Sequence, residues 1–415
     1  MAEQNAGWVE EIKTYPGTIT FMDGLDVLRE LGKGAYSVVH LVRRKRVHAA
    51  GGGGAGSRQL GALKTIPQSL VRTPKRAAHV FSERAALRTL SACPFVVALW
   101  DTFKDDTHLY FLLECVGGGP LHRHLRGSMA PARGRFARPR AAYYAAEVLL
   151  ALEACHLHDF AYRDLKASNV LLTRSGHIRL TDFGFAKVIK TGDSTMTYCG
   201  TPHAMAPEVI LCKVGATGVH ATSSEMGGGN CVGYDKMVDW WSFGILCYEM
   251  VVGRPPAGYV DSDEMTAAIL KGFPDAPYPE DVFETNRNEE VGDSCTDAAG
   301  NKASDAVAIM MGGGHDDGRA AKDLILRCLC VNPDERLGLG HDQTNSNTRN
   351  TMTVDIHPWL RAAVERARAW AKTGCDDNLP APPLLNPRFF SVTDEEEHKV
   401  EPSLTKAEQD MFADF

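Results

Sequence analysis

The segment FAYRDLKASNVLLT, residues 160–173, sets Arg163, Asp164, Lys166 and Asn169 at fixed offsets between two apolar runs. Polar side chains in such a setting are costly unless each has a partner or a task. Close behind comes HIRLTDFGFAK, in which Ile178 and Leu180 alternate as a short strand and Asp182 stands just past its end. Asn169 and Asp182 offer two oxygen ligands, the chemistry that suits Mg²⁺ carrying a polyphosphate. Asp164 offers a carboxylate to orient a hydroxyl, and Lys166 a cation near a transferred group.

Upstream, DVLREL, SVVHLV, ALKTI, VVALWDTF and LYFLLE are short runs rich in β-branched or aromatic residues, and predict strands between residues 25 and 113. One helix interrupts them near residues 75–90. Gly32 and Gly34 lie between two of the strand runs, with Ser37 where a third glycine could sit; backbone N–H groups in such a hairpin can point at phosphates. Taken alone that pattern is a plain β-turn. Alternation puts Ala62, Lys64 and Ile66 on one strand face, and Glu83 lies within the helical stripe of Val80, Leu87 and Leu90. A lysine and a carboxylate, each misplaced on an apolar face, solve one another as a Lys64–Glu83 pair. From Pro139 the pattern turns helical and Ala145, Val148, Leu149 and Leu152 mark a deeply buried helix. A β-rich lobe followed by a helical one is an α+β, two-lobed reading.

The 415 residues suffice for two lobes, and a formal net charge of −7 argues against nucleic acid or an anionic membrane as the main partner. Eleven scattered cysteines without a C-x-x-C pair read as reduced thiols, in a cytoplasmic or nuclear setting. The polar, acidic start predicts neither secretion nor myristoylation, and no apolar run approaches the ~18 residues of a membrane span. Residues 48–61, about 213–232, 281–318 and 341–353 read as Gly-, Asn- or Ser-rich insertions. Residues 1–24 form an N-terminal extension. Residues 360–415, Pro-rich and then acidic around 394–397, are expected to wrap the lobes as a tail.

With YRD, LTDFGFAK, CGTP, VDWW and a terminal F-x-x-F (Phe412 and Phe415), the chain resembles the eukaryotic protein kinases. Within them it is similar to the AGC group and the catalytic subunit of cyclic-AMP-dependent protein kinase. The resemblance implies an N-lobe over 25–113, a hinge over 114–119 and a C-lobe over 120–359. It implies ATP and Mg²⁺ as cofactors, with Leu31, Gly32, Lys33, Gly34, Ala35, Tyr36, Ser37, Val39, Ala62, Lys64, Glu83, Leu113, Glu114, Val116 and Leu171 at the nucleotide. Lys64 would contact the α- and β-phosphates, and the backbone of Glu114 and Val116 the adenine, with Leu113 as gatekeeper. Asn169 and Asp182 would bind the metal, Asp164 would be the catalytic base, and Lys166 would steady the γ-phosphate. Leu87, Leu99, Tyr162 and Phe183 match an apolar spine, and the terminal phenylalanines would brace the Glu83 helix. Thr197 matches an activation-loop phosphorylation site, met by His79, Arg163 and Lys187. Glu208 and Arg336 match a buried ion pair. The opening segment is on this reading a buried phosphoryl-transfer site, where positioning and charge neutralisation supply the rate.

Departures fall on substrate and partner surfaces. Carboxylates that read upstream arginines are replaced by Pro120, Ser168 and His203, leaving Glu249 to attract an arginine two positions upstream, with Thr201 also on the substrate side. Aromatic docking residues for a regulatory subunit are replaced by Met196 and Thr266. Protein substrates are the expected partners, with a cyclic-AMP-binding regulatory subunit and an upstream activation-loop kinase as further candidates. No cyclic-nucleotide-binding module is read in the chain, so control by cyclic GMP in cis is not expected. An inactive scaffold on this fold predicts loss of Lys64, Asp164, Asn169 or Asp182, and all four are present. A small-molecule kinase is disfavoured by APE at 206–208, which belongs to a peptide platform.

Overall fold

Strand-forming runs in the first 114 residues pair as a five-stranded antiparallel sheet of order β1-β2-β3-β5-β4 in a computed structural model of the chain. The structure describes residues 24–34, 36–44, 59–126, 134–216, 233–258, 263–273, 276, 278–283, 318–338 and 353–373. Ala35, the N-terminal extension, most of the insertions, the acidic stretch and Phe412 and Phe415 lie outside these.

The strands are β1 (Leu25–Lys33), β2 (Val38–Arg44), β3 (Leu60–Pro67), β4 (Leu99–Lys104) and β5 (His108–Glu114). Period-2 alternation sends Leu25, Val42, Leu63, Tyr110 and Leu112 into one buried cluster, with Trp100 and Phe103 packed against it. Register places Lys64 between Val39 on one side and Phe111 on the other. The β4–β5 turn is held by Asp105, which accepts from the amides of Thr107 and His108, each at 2.7 Å. Helix α1 (Pro74–Thr89) starts at proline, whose missing N–H is no loss there, and Thr73 caps it by accepting from Arg76 N.

The second unit is mainly helical: α2 (Leu121–Arg126), α3 (Arg138–Leu157), α4 (Pro207–Ala216), α5 (Met237–Val252), α6 (Asp263–Leu270), α7 (Glu280–Phe283), α8 (Gly318–Cys328) and α9 (Arg361–Thr373). Two small antiparallel ribbons accompany them, β6 (Phe160–Ala161) with β9 (Lys187–Val188), and β7 (Val170–Leu172) with β8 (Ile178–Leu180). Helices α3 and α5 are apolar almost all round and form the interior. Gly253 ends α5 in the left-handed conformation, φ 95°. The fold is α+β and two-lobed.

Four expectations change. Strand β4 begins at Leu99, not Val96, because Val96 pairs with Leu180 and Phe95 O accepts from Leu180 N at 2.7 Å. Cys93–Val96 therefore belongs to the helical unit, while Val97–Val116 stays with the sheet. Residues 361–373 are no wrapping tail but helix α9, which buries Ala363, Val364 and Ala367 and stacks Trp370 on His177 with centroids 3.8 Å apart. Helix α4 runs on to Ala216, into the start of the insertion expected over about 213–232. Finally, Cys212 is disulfide-bonded, unlike the seven free cysteines among the described residues, so the expectation of reduced thiols does not hold there. Among the described residues no helix is long and apolar enough to cross a membrane.

Candidate active site

In the sheet unit, Lys64 Nζ donates to Glu83 Oε1 at 2.6 Å, and both side chains are nearly buried. The Lys64 ammonium also lies 5.9 Å from the Phe111 ring centroid. This is the pair expected for the cation on the β3 face. At the β1–β2 turn, Gly34 N donates to Ser37 O at 2.7 Å, and Leu31 and Tyr36 stand exposed beside it. Gly32 faces Val39 across the hairpin, and Lys33 faces Val38. Ala62 and Leu113 pair in register and are buried. Glu114 N is already given to Ala98 O at 2.9 Å, so what Glu114 can offer a ligand is its carbonyl.

In the helical unit the loop between β6 and β7 is held from beneath by one carboxylate. Asp239 of α5, wholly buried, accepts from Tyr162 N at 2.8 Å and Arg163 N at 2.7 Å, and His156 Nε2 lies 2.8 Å away. Arg163 takes φ 68°, a strained value for a side-chain-bearing residue. Two charge-assisted bonds to its own amide and its neighbour's hold it there. Above this anchor, Asp164 Oδ1 accepts from Thr201 Oγ1 at 2.6 Å. Its Oδ2 accepts from Lys166 Nζ at 2.8 Å and Asn169 Nδ2 at 3.0 Å, and Lys166 also donates to Thr201 Oγ1 at 2.7 Å. Gly200 must lack a side chain, since a Cβ would sit 2.7 Å from Arg163 O.

Thr181 N donates to Asn169 O at 2.9 Å, which ties the segment carrying Asp182 to the one carrying Asn169. The carboxylates of Asp164 and Asp182 and the amide of Asn169 all act on the buried Tyr162 hydroxyl, whose proton goes to Thr181 O at 2.5 Å. Burial first, then these two carboxylates, push that phenol well above its ordinary range. Tyr162 meets Phe183 edge-on with centroids 5.1 Å apart, and Leu171 is half-buried in β7. Among the described residues no three His, Cys, Asp or Glu side chains gather as a metal site. The donor set of Asn169 and Asp182 instead suits a hard divalent cation that keeps its other positions for phosphate and water.

On the following segment, Lys187 Nζ donates to Thr195 Oγ1 at 2.7 Å, and Thr195 Oγ1 lies 3.3 Å from Thr197 Oγ1. Arg163 Nη1 donates to Tyr234 OH at 2.9 Å, and Tyr234 OH donates to Thr197 O at 2.6 Å. His79 lies in the other unit, on α1.

The protein kinase domain family model matches residues 25–350. The chain belongs to the protein kinase family. It is 39% identical over 235 residues to cAMP-dependent protein kinase type 3 of Saccharomyces cerevisiae, covering 57% of this chain and 50% of that one. It is 38% identical over 247 residues to the human cAMP-dependent protein kinase catalytic subunit PRKX, covering 60% and 58%. With mouse cGMP-dependent protein kinase 2 it shares 36% over 352 residues, 85% of this chain and 36% of that one. The chain thus spans between about a third and three fifths of the length of these curated relatives. Within the protein kinases it groups with the AGC kinases that resemble the cyclic-AMP-dependent enzyme.

This kinase-family chain also forms the expected Glu208–Arg336 pair. Arg336 is fully buried and donates to both carboxylate oxygens, at 2.6 and 2.9 Å, and to Met237 O at 2.9 Å. Of the residues expected on the substrate side, Glu249 is 2% exposed and accepts from Arg126, and burial pushes its carboxyl up to about 7 although that guanidinium opposes the shift. The expectation that Glu249 stands ready for a substrate arginine therefore changes: an incoming guanidinium would have to share or displace Arg126. Pro120 bridges Leu171 beside the reaction loop, and Ser168 is exposed. His203 is half-buried, Met196 exposed and Thr266 half-buried.

Two functional residues escaped the sequence reading. Asp239 was visible in VDWW only as a marker, though an acid flanked by two tryptophans and a valine on an apolar helix is itself a signal of buried donors. Tyr234 carried no local signal, since its partners Arg163 and Thr197 are remote in sequence.

Proposed function

We propose that this chain is an ATP- and Mg²⁺-dependent protein serine/threonine kinase of the cyclic-AMP-dependent type with altered substrate choice. The observation that carries the reading is Asp164 held in one network with Lys166, Asn169 and Thr201. Bound Mg·ATP supplies the phosphoryl group and neutralises its charge. Asp164 orients the substrate hydroxyl and takes up its proton, and Lys166 offers an ammonium to the transferred group. Asn169 and Asp182 would hold the metal. Lys64, kept in place by Glu83, would meet the nucleotide's phosphates, and Glu114 O and the Val116 backbone its base.

Thr197 is the proposed modification site. Lys187 already stands one hydroxyl away through Thr195, and Arg163 reaches the Thr197 carbonyl through Tyr234, so a phosphate there would find cations nearby. An upstream kinase or the chain itself would add it. Met196 and Thr266, lacking aromatic rings, support weak inhibition by a cyclic-AMP-binding regulatory subunit.

Mg·ATP phosphorylation of an oriented peptide library, with and without such a subunit, tests the reading. Transfer to Ser and Thr peptides, weakly inhibited by the subunit, is the expected result. Absence of transfer to any peptide would refute it, and tight, cyclic-AMP-reversible inhibition would refute its regulatory part. Mass spectrometry of active protein should find phosphate on Thr197.

A further inference from the structure

We infer that Trp370 is a positioning residue: from helix α9 its indole clamps both ends of β8, the strand that leads to Asp182, and the handling of metal-bound nucleotide depends on that clamp. The inference rests on the kinase reading above and adds to it a part from beyond residue 350, where the family match ends.

Strand β8 has three residues, Ile178–Leu180, and Asp182 follows two residues after it. So short a strand does not hold its own course, and its neighbours decide where Asp182 stands. One edge pairs with β7, from Val170 to Leu172. At its start, Ile178 N donates to Glu147 Oε2 at 2.8 Å, and Glu147 Oε1 lies 2.6 Å from His177 Nδ1. At its end, Leu180 N donates to Phe95 O at 2.7 Å, and Val96 bridges Leu180. Asp182 itself takes φ 59°, a left-handed value that its surroundings must maintain.

His177 and Phe95 thus mark the two ends at which β8 is made fast, and Trp370 touches both. Its ring stacks on His177 with centroids 3.8 Å apart and planes 22° from parallel, and it meets Phe95 at 5.4 Å. Phe95 and the Glu147 carboxylate are both buried. The indole covers one face of His177, and a polar contact shielded from water is the stronger for it. Helix α9 is itself fixed. Ala363, Val364 and Ala367 are buried, and Arg368 donates to Glu153 of α3 at 2.9 Å and to Asp355 at 3.2 Å. An indole on an anchored helix therefore joins the two supports of β8, and through β8 it acts on the segment carrying Asp182.

The test compares the full chain with Trp370→Ala and Trp370→Phe. Hydrogen exchange is followed by mass spectrometry without metal or nucleotide. In the alanine variant it should quicken about tenfold over residues 178–182, the scale of two modest aromatic contacts, with α5 unchanged. In turnover of a Ser peptide, the Mg²⁺ concentration giving half the maximal rate should rise about tenfold, while the peptide KM stays native. Trp370→Phe, which keeps a ring, should recover most of both effects. Should Trp370→Ala not fold, Trp370→Leu, apolar but without a ring to stack, takes its place in both measurements. Native exchange over 178–182 in the ringless variant, or a loss seen only in the peptide KM, overturns the inference and spares the kinase reading. If the unsubstituted chain transfers no phosphate but loss of the ring still loosens 178–182, the kinase reading fails and the clamp stands. If neither is seen, both fail.

Discussion

Asp164 and Glu249 are both buried carboxylates beside a cation, yet they sit in different kinds of surroundings. Asp164 accepts from an ammonium, an amide and a hydroxyl, all on its carboxylate, the first two from its own loop and the third from the segment carrying Thr201. Glu249 leans on a guanidinium that is 38% exposed, and burial drives its carboxyl up to about 7. Around Asp164 polar groups are matched to one another. A matched network resists substitution at every member, because any loss leaves a buried group unsatisfied. A carboxylate resting on an exposed guanidinium tolerates exchange more readily.

The largest test breaks the matched side. Asp164→Asn should lower kcat by about 10²–10⁴-fold with nucleotide binding retained, measured by steady-state kinetics and ADP titration. Unchanged kcat would remove Asp164 from the chemistry. Next, Arg336→Ala leaves Glu208 without its buried partner, and should cost about 3–5 kcal/mol in denaturant unfolding of the helical unit. Since Glu208 follows the turn Pro202–Ala204, this variant should disturb that turn and the Asp164 loop alike, whereas a loss confined to one would show that they are anchored separately.

The unmatched side is sharpened by pH. The Glu249 carboxyl is raised in the folded protein from 4.5 to about 7. Its proton uptake therefore favours folding fully below about 4.5, and that contribution is lost as pH rises to about 7, by at most about 3 kcal/mol. Relative to Glu249→Gln, which does not titrate, the native chain should lose stability across that window. A flat difference between the two denaturation profiles would place Glu249 among ordinary carboxylates. The smallest effect belongs to Tyr234→Phe, which removes the hydroxyl between Arg163 and Thr197 O. It should destabilise by about 1–2 kcal/mol and slow Thr197 modification, read by thermal melts and phosphopeptide mass spectrometry.

Residues whose chemistry conflicts with their local pattern were the legible ones. Lys64 and Glu83 each interrupt an apolar face, and that conflict by itself points to their pairing. Asp164, Asn169 and Asp182 stood out for the same reason. The strands and buried helices followed from period-2 alternation and apolar length. What stayed hidden depends on distant partners. Val96 looks like part of a continuous strand run, and only its pairing with Leu180 takes it to the other unit. Residues 361–373 lie close to a Pro-rich stretch that masks their helical stripe, and Trp370 finds its place through the remote Phe95 and His177. Glu249 keeps its acid in the sequence, but its engagement by Arg126 is a property of two helices meeting.

Asp239 has a consequence for how the molecule fails. Its carboxylate is fully enclosed, and two of its donors are the amides of Tyr162 and Arg163, one of them in a strained backbone conformation. Were the loop to peel away by itself, it would abandon an anion in the interior, so partial loosening is penalised as heavily as unfolding α5 itself. Heat should therefore extinguish catalysis in a single step, with the decay of turnover and the loss of helical circular dichroism following one rate constant.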